Sequence, residues 1–134
     1  MSIFIDTGIF TGAANIRDKY HTRAKELLAD ILRGKYGSAY TSDFVFDEVV
    51  TLMLKRSKVK NFAVTLGEAI LDSPTIEFVY VSLNDFAKAW NLFKKMKKHL
   101  SLTDCTSLVL MERLNIKYIA SFDSDFDGLA QRIK

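Results

Sequence analysis

Cysteine occurs once, at position 105, and proline once, at position 74, in a chain of 134 residues. A lone cysteine excludes an internal disulfide framework and fits a reducing compartment, so the cytoplasm is the expected location. Long hydrophobic runs are missing: nothing approaches about eighteen uncharged apolar residues, and no membrane span is expected. The opening Met1-Ser2-Ile3-Phe4-Ile5-Asp6 lacks a basic n-region, an adequate apolar h-region and a small-residue cleavage site, so no signal peptide is expected. Strong charge of one sign is absent too, because 19 Lys and Arg against 16 Asp and Glu leave a net charge of only +3. No repeat, linker or low-complexity stretch is visible.

What is present describes an ordinary globular chain, 49% hydrophobic and 26% charged. Its length suits one domain over residues 1–134, large enough to bury a single core. Charge is unevenly spread: Lys94, Lys95, Lys97 and Lys98 form one basic run, and acids gather between Asp104 and Asp127.

Ser2 to Ile5 is a short β-branched and aromatic run that predicts a buried strand, with a turn at Asp6-Thr7-Gly8. Tyr20, Ala24, Leu27, Leu28 and Ile31 follow helical spacing, with Asp18 as the expected N-cap and Gly34 as the stop. Ser38 to Thr41 is a weak strand candidate; Ser42-Asp43 then opens an apolar helix to about Ser57 that contains Glu48. A further helix over 61–71 ends before Ser73-Pro74, and Ile76 to Val81 is the clearest strand. The next helix is expected to bury Phe86, Ala89, Trp90, Phe93 and Met96 and to end in the lysines. Ser101 or Thr103 caps a helix from Asp104 to about Leu114, Asn115 suits a left-handed position, and Ile116 to Ala120 is the final strand.

This alternation predicts an α/β fold, a three-layer α/β/α sandwich around a mostly parallel sheet of four to five strands. In open sheets of that kind ligands bind beyond the carboxyl ends of the strands. Asp6 and Asp123 fall there, and Asp104 opens a helix at the same edge. Glu48 lies roughly 8 to 10 Å along its helix at 1.5 Å per residue and still reaches a site between helix and sheet. Its neighbours Phe44, Val45, Phe46, Val49, Val50 and Leu52 are apolar on nearly every side, so its carboxylate calls for a partner or a metal.

Ile3-Phe4-Ile5-Asp6-Thr7, Thr41-Ser42 with Glu48 following, Leu100-Ser101-Leu102-Thr103-Asp104-Cys105 and Ile119-Ala120-Ser121-Phe122-Asp123-Ser124-Asp125-Phe126 stand in an order and spacing that resembles the PIN-domain nucleases, including toxins of VapC type. The resemblance spans nearly the whole chain. It implies a Mg²⁺- or Mn²⁺-dependent endoribonuclease whose metal is held by Asp6, Glu48, Asp104 and Asp123, with Asp125 in reserve for Asp123. The implied products are a 5′-phosphate and a 3′-hydroxyl. Thr7, Ser42 and Thr103 are candidate supporting hydroxyls, although each also suits capping of its own turn or helix. A small antitoxin and a homodimer are the implied partners, and RNA the substrate. Hard oxygen donors suit such ions on independent grounds.

Lys94, Lys95, Lys97 and Lys98 are the expected RNA-binding run, since Lys98 is within about 20 Å of Asp104 by chain reach. They are favoured over Lys55, Arg56, Lys58 and Lys60, at the far end of the Glu48 helix. Cys105 on an apolar helix suits packing rather than nucleophilic chemistry with His99, and His21 has no identifiable partner. Asp6-Thr7-Gly8 matches the aspartic-protease triplet, but that chemistry needs an all-β setting. The rival to the enzyme is a PIN-fold RNA-binding or protein-interaction module without nuclease activity.

Overall fold

A computed structural model describes residues 1–134. Five strands, β1 (Ser2–Ile5), β2 (Ser38–Ser42), β3 (Ile76–Val79), β4 (Tyr118–Ala120) and β5 (Gln131–Ile133), form one parallel sheet in the order β3-β2-β1-β4-β5. Six helices flank it: α1 (Thr7–Ala14), α2 (His21–Leu32), α3 (Asp43–Ser57), α4 (Lys60–Leu71), α5 (Leu83–Lys95) and α6 (Leu102–Arg113). The expected α/β/α sandwich is therefore the fold, with every strand pair parallel. No helix is long and apolar enough to cross a membrane.

The central strand explains the order. Ile3, Phe4 and Ile5 are all fully buried, as expected of a strand covered by helices on both faces. Chain order runs outward from β1 to β3 on one side, then returns to place β4 and β5 on the other. That reversal makes the gap between β1 and β4 the switch point of the sheet, where open α/β folds bind ligands. The register Ile5↔Ala120 aligns the two strand ends, and the Asp6 N–H donates to the Ala120 carbonyl at 3.0 Å. On the other flank the Thr41 hydroxyl donates to the Ile5 carbonyl at 3.2 Å, tying β2 to the same edge.

Several expectations need correction. The turn at Thr7-Gly8 is the first turn of α1, with Asp6 as its N-cap residue. The Asp18 carboxylate accepts from the Tyr20 N–H at 2.8 Å, and Tyr20 is the N-cap residue of α2. On α5 only Ala89 of the predicted stripe is buried; Phe86, Trp90 and Phe93 are exposed and Met96 is half-buried. The inward face is instead Asp85, Ala89, Leu92 and Met96, because the buried Asp85 carboxylate grips Arg113 of α6 through Nε at 3.0 Å and Nη2 at 2.9 Å. Strand β5, three residues long, has no sequence pattern to announce it. The expected backbone punctuation is in place: Ser101 caps α6, Asn115 has φ of 54° and Gly34 has φ of +86°.

Gly37 precedes β2 with φ of +79°, and a Cβ there would overlap the Met1 carbonyl oxygen; at Gly34 a Cβ meets nothing within 4 Å. Gly34→Ala should cost about 1 kcal/mol, the left-handed penalty alone. Gly37→Ala should cost more than about 2 kcal/mol, since it also displaces the start of β1. Urea melts of both variants check the difference, and equal losses would mean that Met1 yields freely.

Candidate active site

Asp6, Glu48, Asp104 and Asp123 line one cleft of about 350 Å³ at the carboxyl edge of the sheet. Four separate elements deliver them. Asp6 follows β1, Glu48 lies on α3, Asp104 is in the first turn of α6 and Asp123 follows β4. A larger apolar groove of about 750 Å³ lies elsewhere, between α5, α6 and β5. Its lining is mostly apolar, with Glu112 its one acid, so the gathering of carboxylates rather than size selects the acid cleft.

Three of the carboxylates are oriented by one oxygen and keep the other uncommitted. Asp6 Oδ2 accepts from the Ser121 hydroxyl at 2.7 Å, while Oδ1 is buried without a hydrogen-bond partner. Ser121 Oγ in turn accepts from the Asp123 N–H at 3.0 Å, so one serine joins both strand ends. Asp104 Oδ2 accepts from the Ser101 N–H at 2.9 Å, and the Asp104 N–H donates to Ser101 Oγ at 3.1 Å, forming a capping box. Asp123 Oδ1 accepts from the Asp125 N–H at 2.9 Å. The carboxylates are spaced around the cleft rather than closed together: no three His, Cys, Asp or Glu side chains are gathered in a metal-holding group.

Their electrostatics record burial first and mutual repulsion second. Burial, then the Asp104 charge, push Asp6 up from 3.8 to about 7, with Glu48 adding to the rise. The Ser121 hydroxyl and the Thr7 backbone N–H pull it back. Asp104 is also raised, chiefly by burial and further by Glu48 and Asp123, against the stabilising bonds of Ser101.

The remaining candidates divide. Thr7 lines the cleft, its hydroxyl buried and unpartnered. Ser42 does not; it is the N-cap of α3, accepting from the Val45 N–H at 3.1 Å. Thr103 lies outside the lining, its carbonyl accepting from Thr106 and Ser107. Asp125 is outside as well and contributes the N–H that orients Asp123. None of Lys94, Lys95, Lys97 and Lys98 reaches the lining; Lys98 bonds the Asp127 carbonyl, and Lys94 Nζ lies 5.8 Å from the Trp90 ring centroid. Cys105 is fully buried with its thiol pushed up by burial. His21 does have a partner, the Gly12 carbonyl, to which Nδ1 donates at 2.9 Å.

Several lining residues escaped the sequence reading. Asp18 adds another acid, and Tyr20 and Phe122 stack at 4.3 Å with an interplanar angle of 10° at the rim. Arg56 lines the cleft although it lies two turns beyond Glu48, because Glu48, Leu52 and Arg56 recur at i, i+4 and i+8 on one helical stripe. That spacing was legible. Ser121 was legible too, once Ile5 is paired with Ala120 and the next residues become neighbours.

The geometry defines a class: a parallel α/β domain with a carboxylate-lined cleft at its sheet switch point. The sequence matches the PIN domain over residues 3–131, and the chain belongs to the PIN-domain family. It is 33% identical over 128 residues to the VapC ribonuclease of Archaeoglobus fulgidus, covering 94% of this chain and 80% of that protein. It is 30% identical over 127 residues to the Mycobacterium tuberculosis protein named 23S rRNA-specific endonuclease VapC20, covering 94% and 92%. The crystal structure of M. tuberculosis VapC20, described as a sarcin-ricin loop cleaving toxin, superposes with a TM-score of 0.84 at 28% identity, covering 94% and 93% of the two chains. VapBC2 from Rickettsia felis, with a TM-score of 0.69 at 17% identity and coverage of 99% and 98%, shares the fold.

Without metal, Asp6 makes stability depend on pH. Its carboxyl titrates near 3.8 when exposed and at about 7 in the fold, so between those values the folded chain holds a proton that the unfolded chain has lost. Stability should therefore fall as pH rises from about 4 to about 7 and level off above. Asp6→Asn should remove most of that fall and exceed the wild type in stability at about pH 8 in EDTA. Urea midpoints across the range decide, and a wild-type curve no steeper than the variant's would contradict it.

Proposed function

We propose that this chain is a divalent-metal-dependent endoribonuclease and the toxin of a toxin–antitoxin pair. The observation that carries this reading is the joint lining of one cleft by Asp6, Glu48, Asp104 and Asp123, each with an uncommitted oxygen, in a PIN-family chain. The relatives named as ribonuclease and endonuclease support it.

The donor set fits the implied metal. Its atoms are all carboxylate oxygens, the choice of a hard cation, and the unpartnered Asp6 Oδ1 is a buried acceptor that such an ion would satisfy. Asp6, Glu48, Asp104 and Asp123 would hold Mg²⁺ or Mn²⁺. When bound, the ion supplies charge neutralisation at the scissile phosphate and lowers the pKa of an attacking water.

The chain's own residues do the rest. Ser121 and Ser101 fix the carboxylate rotamers of Asp6 and Asp104, the supporting role that outer hydrogen bonds play around metal ligands. The Tyr20–Phe122 stack offers an aromatic face to an unpaired base, which favours single-stranded RNA or RNA loops. Attack of water on phosphorus with departure of the 3′ oxygen leaves a 5′-phosphate and a 3′-hydroxyl. The relative named for 23S rRNA makes a ribosomal RNA loop the first substrate to assay.

A small antitoxin is the proposed protein partner, and the exposed face of Phe86, Trp90 and Phe93, with Leu83 beside it, supports a homodimer. The cytoplasm, where free Cys105 stays reduced, is the proposed location.

Labelled RNA incubated with Mn²⁺ should be cut by the wild type and at least about a hundredfold more slowly by Asp6→Asn and Asp104→Asn. Cleavage undiminished in both variants would sink the enzyme reading. In a thermal melt, Mn²⁺ at about a hundred times its Kd should add about 2.7 kcal/mol of stability, and no shift at millimolar metal would remove the metal site.

A further inference from the structure

We propose that Arg17 and Arg56 form a phosphate-binding subsite beside the acid cleft, holding a backbone phosphate that neighbours the one to be cleaved. The proposal rests on the nuclease reading for its choice of ligand. A separate cavity of about 340 Å³ is lined by both arginines together with Ile16 and Phe62. Arg56 lines the acid cleft as well, so the two spaces share a wall and one chain can run through both.

The charge pattern singles out this pair. The sequence holds arginine at positions 17, 23, 33, 56, 113 and 132. Arg23, Arg33, Arg113 and Arg132 are each in an ion pair with a carboxylate; Arg17 and Arg56 are in none. No acid lines their cavity. Neither guanidinium is held in an ion pair, and on this side, where no acid lies, both gain from an anion bound in the cavity. The guanidinium fork matches phosphate oxygens bidentately, which a lysine does not.

The supports are local. Arg17 lies on the connection after α1, where its N–H donates to Asn15 Oδ1 at 3.0 Å. Arg56 is in the last turn of α3, about 12 Å along the axis from Glu48 at 1.5 Å per residue. Buried Met53, half-buried Phe62 and exposed Ile16 line the cavity with apolar surface for a ribose or base. Lys94, Lys95, Lys97 and Lys98 line neither space.

The test is binding of fluorescein-labelled single-stranded RNA in EDTA, so that no cleavage intervenes, to the wild type, Arg17→Gln, Arg56→Gln and Arg56→Lys. Each glutamine variant should bind about tenfold more weakly at low salt, with a log–log salt slope shallower by about 0.7. Arg56→Lys should keep the slope and recover only part of the affinity. Replacing RNA linkages one at a time by uncharged methylphosphonate should reveal one position whose loss weakens the wild type and not Arg56→Gln. Melting temperatures of the variants should match the wild type.

Unchanged affinity and slope in both glutamine variants would overturn the subsite, as would failure of the wild type to bind RNA. Loss of binding to an oligo-glutamate peptide with RNA binding intact would overturn it too, reassigning the pair to a protein partner. The two readings separate cleanly. RNA bound through the arginines but never cut with Mn²⁺ removes the nuclease and keeps the subsite, and cutting with an unchanged slope does the reverse.

Discussion

The constraint on which this molecule depends is the placing of like-charged carboxylates where water cannot solvate them fully. Two identical local motifs in the chain show what that means. Ser82 with Asp85 and Ser101 with Asp104 form the same capping box at the starts of α5 and α6. Asp85 receives the Arg113 guanidinium on both oxygens and is held below its ordinary range despite burial. Asp104 receives no cation and is raised, with Glu48 and Asp123 as its charged neighbours. Local folding needs are equal in the two boxes, so the missing counter-ion at Asp104 is a property of the cleft. Asp6 repeats it more sharply, since its protein partner is a hydroxyl and its other oxygen has none.

The rest of the fold is arranged to hold that unfavourable group together. Strand β1, buried on both faces, fixes Asp6, and parallel register with β4 fixes Ser121 against it. Helix α3 presents two adjacent stripes with different tasks. Val45, Val49 and Met53 are buried and anchor it; Glu48, Leu52 and Arg56, one stripe round, face the cleft. A helix anchored on one stripe leaves little freedom to the next, so Glu48 and Arg56 are positioned by residues that never touch the site. This also accounts for the poor amphipathic pattern of α3 in sequence. Apolar residues surround Glu48 because that side of the helix meets protein on either hand of the cleft.

Much of this was legible because it depends on chain order. Strand and helix alternation yields the parallel sheet, the sheet yields an edge, and the edge collects Asp6, Asp104 and Asp123. What failed was finer rotation and short-range choice. Phe86, Trp90 and Phe93 share a helical stripe, but the stripe that turns inward is set by Asp85 meeting Arg113, a pairing 28 residues apart in sequence. Thr7-Gly8 carries turn chemistry, yet α1 forms because Ile9 and Phe10 bury against the core. Strand β5 pairs through three residues, too few for a period to be recognised. Distance from the helix start ranks Arg56 low, although helical period is what decides which residues share a face.

The charge of the whole chain and the charge of the cleft have opposite signs, and the difference bears on how a polyanion is handled. A net +3 attracts RNA weakly at a distance, whereas the cleft offers Asp6, Asp18, Glu48, Asp104 and Asp123 against Arg56 alone. A phosphate cannot settle among those acids on the strength of one guanidinium. With a Debye length of about 8 Å at physiological salt, the lysines of α5, outside the lining, would act on approach rather than on occupancy. Occupancy therefore demands positive charge delivered inside the cleft, which a cation supplies at the carboxylates and Arg56 supplies only at the wall. On this proposed arrangement the acids serve as a conditional barrier. They would disfavour the scissile phosphate alone when no metal is held, while a neighbouring phosphate keeps its hold on the arginine wall, so metal binding and scissile-phosphate binding would be coupled with positive cooperativity.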